Sequence, residues 1–201
     1  YKVGLPWREG RLQAAKIFAE VDSRSNAHNR LMKEKHKLQK DPIRKEGVFK
    51  QMRETLSLGH AQRVSDKEVP SGRPVWYMPI HVVTRPDKPG KFRICQDAAS
   101  EVNGTNLNRH LCTGPNTLNN LVGVLWRFRR GKVALSADIK NFFHQIRVSE
   151  EDASALRYLF FEDEDMKAIM ELQSAVHSFG LSSSPPVANF ILHYHAERIL
   201  S

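Results

Sequence analysis

The sequence predicts an α+β fold, and three observations carry that reading. Residues 25–58 are polar and helix-favouring, residues 75–96 hold two β-branched and aromatic runs around a Pro/Gly turn, and short apolar runs alternate with helical patterns from residue 117 onwards.

Taken in order, Ser25 to about Gln39 reads as one helix, and Asp41-Pro42 supplies an N-cap and a first-turn proline for a second that runs towards Leu58. Gly59 is expected to end it. The basic run Lys33, Lys35, Lys37 and Lys40 reads first as a solvated helix face, with a phosphate contact as the alternative. The segment VWYMPIHVV, the turn RPDKPGK and FRICQD then form a hairpin signal, with Pro79 arguing for an edge strand or a bulge. Its tip gathers Arg85, Lys88, Lys91 and Arg93, cations that either keep an edge strand soluble or meet an anion.

In TLNNLVGVLWRFRR, Leu118, Leu121, Val122, Leu125 and Trp126 recur at helical spacing, which predicts an amphipathic core helix stopped at Gly131. KVALSADI follows as an apolar run of a length suited to a buried strand. Glu150, Glu151 and Asp152 read as the acidic first turn of a short helix before the strand LRYLFF, and EDED at 162–165 as a hairpin turn. The loop SFGLSSSPP admits a last helix, VANFILHYHAERIL, through its double proline. A first residue other than Met and a last helix without a stop signal read as a chain cut from something longer.

Composition narrows the partners. The chain has 201 residues, 40% of them hydrophobic, enough for a real core, and 31 Lys and Arg against 22 Asp and Glu give a net charge of +9. That balance favours a polyanion such as nucleic acid. No apolar run of eighteen residues appears and the start YKVGLPWREG has no signal-peptide core, so an intracellular protein with no membrane span is expected. Cys95 and Cys112 are too few for a disulfide framework and read as reduced thiols.

The chemistry centres on Asp138. A carboxylate at the end of an apolar strand needs a helix N-terminus to cap, a cation or a metal ion. EDED lies on a turn, a poor place to hold a metal rigidly, and His193 and His195 cannot share a helical face at a spacing of two.

DIKNFFHQI at 138–146 resembles the Asp-x-x-x-x-(Phe/Tyr)-His-Gln-Ile element of retroelement reverse transcriptases, and FGLSSSP at 179–185 resembles their Phe-Gly-Leu-x-x-x-Pro loop. In detail, YKVGLPWREG, LGHAQRV, RPDKPGKFRICQDAAS, LNRHLCTGPNTLNNLVGVLWRFRRGKVALSADI and VHSFGLSSSPPVANF are similar, end to end, to polyproteins of BEL/Pao-type retrotransposons with long terminal repeats. The resemblance implies the fingers and part of the palm of a right-hand polymerase. It divides the chain into an N-terminal segment with two helices (1–66), the fingers hairpin and connecting helix (67–131), and a partial palm (132–201).

The resemblance implies more about chemistry. Such polymerases add deoxynucleotides to a primer 3′-hydroxyl on an RNA or DNA template, using two Mg²⁺ ions, with Mn²⁺ as a substitute. Asp138 and the backbone carbonyl of Ile139 would be metal ligands, and Phe143 an aromatic gate that rejects a 2′-hydroxyl. Arg93 would meet the triphosphate, joined by Lys88 or Lys91, and Gly180 would let the backbone pass close to nucleotide and template. Phe179 is expected to pack against the base pair.

Deoxynucleoside triphosphates, primed template and the rest of the polyprotein are the implied partners, in the cytoplasm or a virus-like particle. The family's aromatic-x-Asp-Asp turn is absent from these residues and is expected to be encoded beyond Ser201. Gln96 also stands where the family has an apolar residue. The alternatives are a non-catalytic nucleic-acid-binding module, a retrotransposon relic, or a fragment whose unpartnered apolar faces leave it without a cooperative fold.

Overall fold

The computed structural model describes residues 1–64, 69–84, 90 and 92–200. Its strands are β1 (Lys2–Val3), β2 (Ala61–Arg63), β3 (Ile80–Thr84), β4 (Phe92–Gln96), β5 (Arg147–Val148), β6 (Arg157–Phe161) and β7 (Ile169–Ser174). Its helices are α1 (Arg11–Ala19), α2 (Ser23–Lys40), α3 (Pro42–Ser57), α4 (Leu121–Phe128) and α5 (Ser184–Leu200). Short 3₁₀ turns occupy Leu107–His110, Phe142–Gln145 and Ala153–Leu156. The expected α+β composition is present.

The α2–α3 pair forms where the caps direct it. Asp22 accepts from Ser25 N–H, Asp41 accepts from Arg44 N–H with Pro42 in the first turn, and the chain leaves α3 through Gly59 at a φ of 64°. Residues 1–66 hold a third helix that their sequence does not announce. The capping position of α1, Gly10, makes no side-chain cap bond, and the helix is held by burial of Ala14 and Phe18.

An antiparallel sheet in the order β2-β7-β6 joins the start of the chain to its end. The β6–β7 hairpin turns through EDED as expected, with Glu162 paired to Arg63 and Glu164 to Arg53. The β3–β4 hairpin is separate, and β3 begins immediately after Pro79 instead of enclosing it. Its base is stitched to β6: Trp76 N–H donates to Ser154 O, Met78 N–H to Arg157 O, and Arg157 N–H to Trp76 O.

One core cluster lies between α2, α3, β3, β6 and β7, around Leu31, Leu38, Phe49, Phe160, Phe161 and Leu172. A second collects Leu5, Phe18, Trp76, Met78, Leu107 and Leu156. Contact between α3 and β4 depends on Gly47, because a Cβ there would stand 2.2 Å from a carbon of the Phe92 ring. Part of the basic run is structural: Lys35 donates to Met166 O at 2.7 Å and lies over the Phe161 ring, and Lys37 joins Arg44 around the buried Glu34.

Two expectations fail in the middle of the chain. The expected core helix spans only Leu121–Phe128 and none of its residues is buried; Leu121 is 69% exposed and Trp126 75%. The expected buried strand at 132–139 is not a strand, with Leu135 87% exposed. The physical reason is the absence of a neighbour, for no backbone hydrogen bond among the described residues involves 132–139. An apolar run becomes a strand only when another strand takes its backbone groups.

Asp152 is buried and acts as an anchor as well as a turn residue. It accepts from Leu5 N–H at 2.8 Å, Trp7 Nε1–H at 2.9 Å and Ser149 Oγ–H at 2.9 Å, with Arg11 Nε 3.6 Å away. The Asp152→Ala variant is therefore expected to lose about 3 kcal/mol of stability, because buried donors are left unpaired. Urea unfolding measures it, and a loss within experimental error would remove the anchor role.

His177 is fully buried with neither ring nitrogen hydrogen-bonded among the described residues, and burial pushes its pKa down from 6.5 to about 4. The folded state thus holds it neutral. Its contribution is complete above pH 6.5 and is lost as the pH falls towards 4, for a total of about 3 kcal/mol. The urea midpoint should fall across that window and fall less in His177→Gln. Equal slopes for the two proteins would contradict the assignment.

Candidate functional site

A cavity of about 480 Å³ opens between the β3–β4 hairpin, α3, the β6–β7 sheet and the segment that carries Asp138. Its floor is Tyr158 of β6 and Ser174 of β7, and Gln51, Met52 and Thr55 of α3 border it above. Arg93, Ile94, Cys95 and Gln96 of β4 form one wall; Asp138, Ile139, Phe143 and His144 form the facing one.

Arg93 of β4 is exposed opposite Val83 in the hairpin register. The strand is held from both sides: Ile94 N–H donates to Gln51 Oε1 at 3.0 Å, and Gln96 Nε2 donates to Ser174 Oγ at 2.9 Å. The polar Gln96 is thereby explained, since an apolar residue would leave the Ser174 hydroxyl without that partner.

Asp138 is exposed and does not cap a helix; the residue before the 3₁₀ turn Phe142–Gln145 is Asn141, in the left-handed conformation at a φ of 53°. The argument from a buried carboxylate therefore does not apply to it. Phe143 is half-buried and meets Phe179 edge to face, with centroids 4.9 Å apart, and Phe142 stacks behind it at 5.9 Å. Phe179 also touches the His144 ring at 5.9 Å, so the four rings form a continuous aromatic surface.

Gly180 has a φ of 102°, and a Cβ built on it would lie 2.2 Å from the Gln96 carbonyl oxygen. The close approach that requires glycine is thus to the end of β4. Asn108 holds the same loop with both ends of its amide, donating to Gly180 O and accepting from Ser182 N–H, each at 2.9 Å. No sequence signal marked Asn108, because its role depends on a contact seventy-odd residues away. Lys88 and Lys91 lie outside the described residues.

Among the described residues, no group of three or more His, Cys, Asp or Glu side chains could hold a metal ion. Water can fill much of the shell of Mg²⁺, but one carboxylate, Asp138, and the Ile139 carbonyl would leave two ions to share a single side-chain ligand, so these residues alone do not fit a Mg²⁺ pair. Histidines 193 and 195 are on α5, where His195 Nδ1 meets the Tyr1 hydroxyl at 2.9 Å. Both cysteines are free thiols, and burial pushes that of Cys95 above its ordinary pKa.

No family model matches the sequence, and no curated protein matches it. Among solved structures, the chain is similar to a foamy viral protease–reverse transcriptase in complex with double-stranded DNA. The TM-score is 0.57 at 16% identity, over 76% of this chain and 23% of that one. The chain thus spans less than a quarter of that relative's length, and among its described residues no helix is long and apolar enough to cross a membrane. What the two share is the fold: this chain is reverse-transcriptase-like in its backbone.

Proposed function

We propose that this chain is the fingers and front part of the palm of an RNA-directed DNA polymerase from a BEL/Pao-type retrotransposon. One observation carries the reading: Arg93, Asp138, Ile139 and Phe143, nominated by motifs far apart in sequence, line one cavity of about 480 Å³. In this reading the cavity takes a deoxynucleoside triphosphate. Arg93 meets the phosphates through charge-assisted hydrogen bonds, the rings of Phe143 and Phe179 bound the sugar and base, and Phe143 crowds a 2′-hydroxyl. Gly180 and Asn108 set the position of the Phe179 loop.

Asp138, with the Ile139 carbonyl, is one contribution to a Mg²⁺ or Mn²⁺ site whose other ligands are not among the described residues. No chemical step is assigned to this chain on its own. Primed RNA or DNA template, deoxynucleotides and the rest of the retrotransposon polyprotein are the proposed partners, in the cytoplasm or a virus-like particle.

The second reading, a basic module that binds nucleic acid without chemistry, is favoured by the absence, among the described residues, of any metal-holding group of three or more His, Cys, Asp or Glu side chains. Fluorescence anisotropy with a labelled primer-template separates the two. Both readings expect affinity to fall steeply with salt and to drop about tenfold in Arg93→Ala, roughly the 1.5 kcal/mol of a charged hydrogen bond. Affinity added by deoxynucleotide and Mg²⁺, and lost in Asp138→Asn, supports the polymerase. No added affinity in either protein supports the module, and binding insensitive to salt and to Arg93 sinks both.

A further inference from the structure

The floor of the cavity holds a hydroxyl that the polymerase reading does not use. Tyr158 is 2% exposed, belongs to the same core cluster as Leu159 and Leu172, and lies opposite Leu172 in the β6–β7 register. Its hydroxyl makes no hydrogen bond to any described residue, although Tyr158 lines the cavity. Ser178 Oγ on the same lining is also unpaired, but it is wholly enclosed; the Tyr158 oxygen is not, so the sliver of Tyr158 left uncovered includes it.

A buried hydroxyl without a partner destabilises the fold, and phenylalanine would fill the same volume without that cost. Buried polar groups are otherwise paired with protein or with bound molecules. The unpaired oxygen therefore marks the floor as a place where an occupant of the cavity completes the bonding. Burial raises the Tyr158 pKa, so the phenol stays protonated and can donate.

The rest of the lining limits what that occupant is. Arg93 is an exposed cation on one wall, and the rings of Phe143, Phe179 and His144 form an aromatic surface on the other. A cation at the wall, a stacking surface and one deep hydroxyl match the phosphates, the base and a polar atom of a nucleotide. A bare phosphate would leave both the rings and the floor unused.

We propose that Tyr158 is a ligand-contacting residue whose hydroxyl donates a hydrogen bond to an acceptor on the nucleoside part of a nucleotide held in the cavity. The inference rests on the nucleotide occupant of the polymerase reading and adds a contact that tells a nucleoside triphosphate from a bare polyphosphate. Because the hydroxyl has no protein partner, it serves the ligand and not the fold.

The test is NMR titration of the full chain, with Mg²⁺ present, by thymidine triphosphate and by inorganic triphosphate. Thymidine triphosphate is expected to shift the Tyr158 ring carbon that bears the hydroxyl and to bind Tyr158→Phe about fivefold more weakly, as for the loss of one neutral hydrogen bond. Inorganic triphosphate should leave that carbon unmoved and bind both proteins equally, while Arg93→Ala weakens both ligands. Tyr158→Phe should melt no lower than the unsubstituted chain, and a lower midpoint counts against an unpaired hydroxyl. Thymidine triphosphate bound equally by Tyr158→Phe would assign the hydroxyl to water and overturn the inference while the nucleotide site stands; equal weakening of both ligands also overturns it. No binding of either triphosphate to the unsubstituted chain removes the nucleotide site itself, and this contact with it. Should the variant fail to fold, the carbon shift in the unsubstituted chain decides.

Discussion

The attachment of the β3–β4 hairpin to the β2-β7-β6 sheet is the constraint on which the cavity depends. Three backbone bonds between 76–78 and 154–157 fix the hairpin base, and the Gln96–Ser174 hydrogen bonds fix the end of β4 over β7. Together they set how far Arg93 stands from the sheet. The polar cluster beneath reinforces the junction: Tyr77 Oη–H donates to Glu171 at 2.5 Å and accepts from Arg157 at 3.0 Å, while Arg24 closes on Glu171 from α2. Burial is the largest influence on Tyr77 and raises its pKa, and the Glu171 acceptor raises it further. Such a network is worth more intact than its separate bonds suggest.

The elements most legible in the sequence were those whose cause is local. Asp41 caps α3 with Pro42 in its first turn, Gly59 tolerates a left-handed exit, and EDED between two apolar strands makes a turn. What the sequence concealed was non-local. α1 has no cap and is visible only once Phe18 meets Trp76, and Asp152 resembles any acidic first-turn residue until Leu5 and Trp7 arrive from the other end of the chain. The error over residues 117–139 has the same origin, because apolar spacing reports that a face needs a partner and not that one is present.

The candidate site divides along the same line. Motif resemblance nominated Arg93, Asp138, Ile139 and Phe143, and all four border one cavity. It did not nominate Asn108 or Ser174, which hold the loop that carries Phe179 and the strand that carries Arg93. Nor could it assign Gly180 its close neighbour, since the Gln96 carbonyl reaches it only through folding.

The exposed segment 132–139 carries a consequence for how Asp138 could act. Its neighbours on the cavity wall are held by hydrogen bonds or ring packing, whereas its own stretch of backbone makes no such bonds among the described residues. Fixing a residue's backbone costs about 1–2 kcal/mol. Whatever brings Asp138 to a defined position must therefore supply several times that amount, so any ligand that depends on this carboxylate reads out the ordering of the whole segment as well as its own contacts. Affinity at this site would then report assembly as much as recognition.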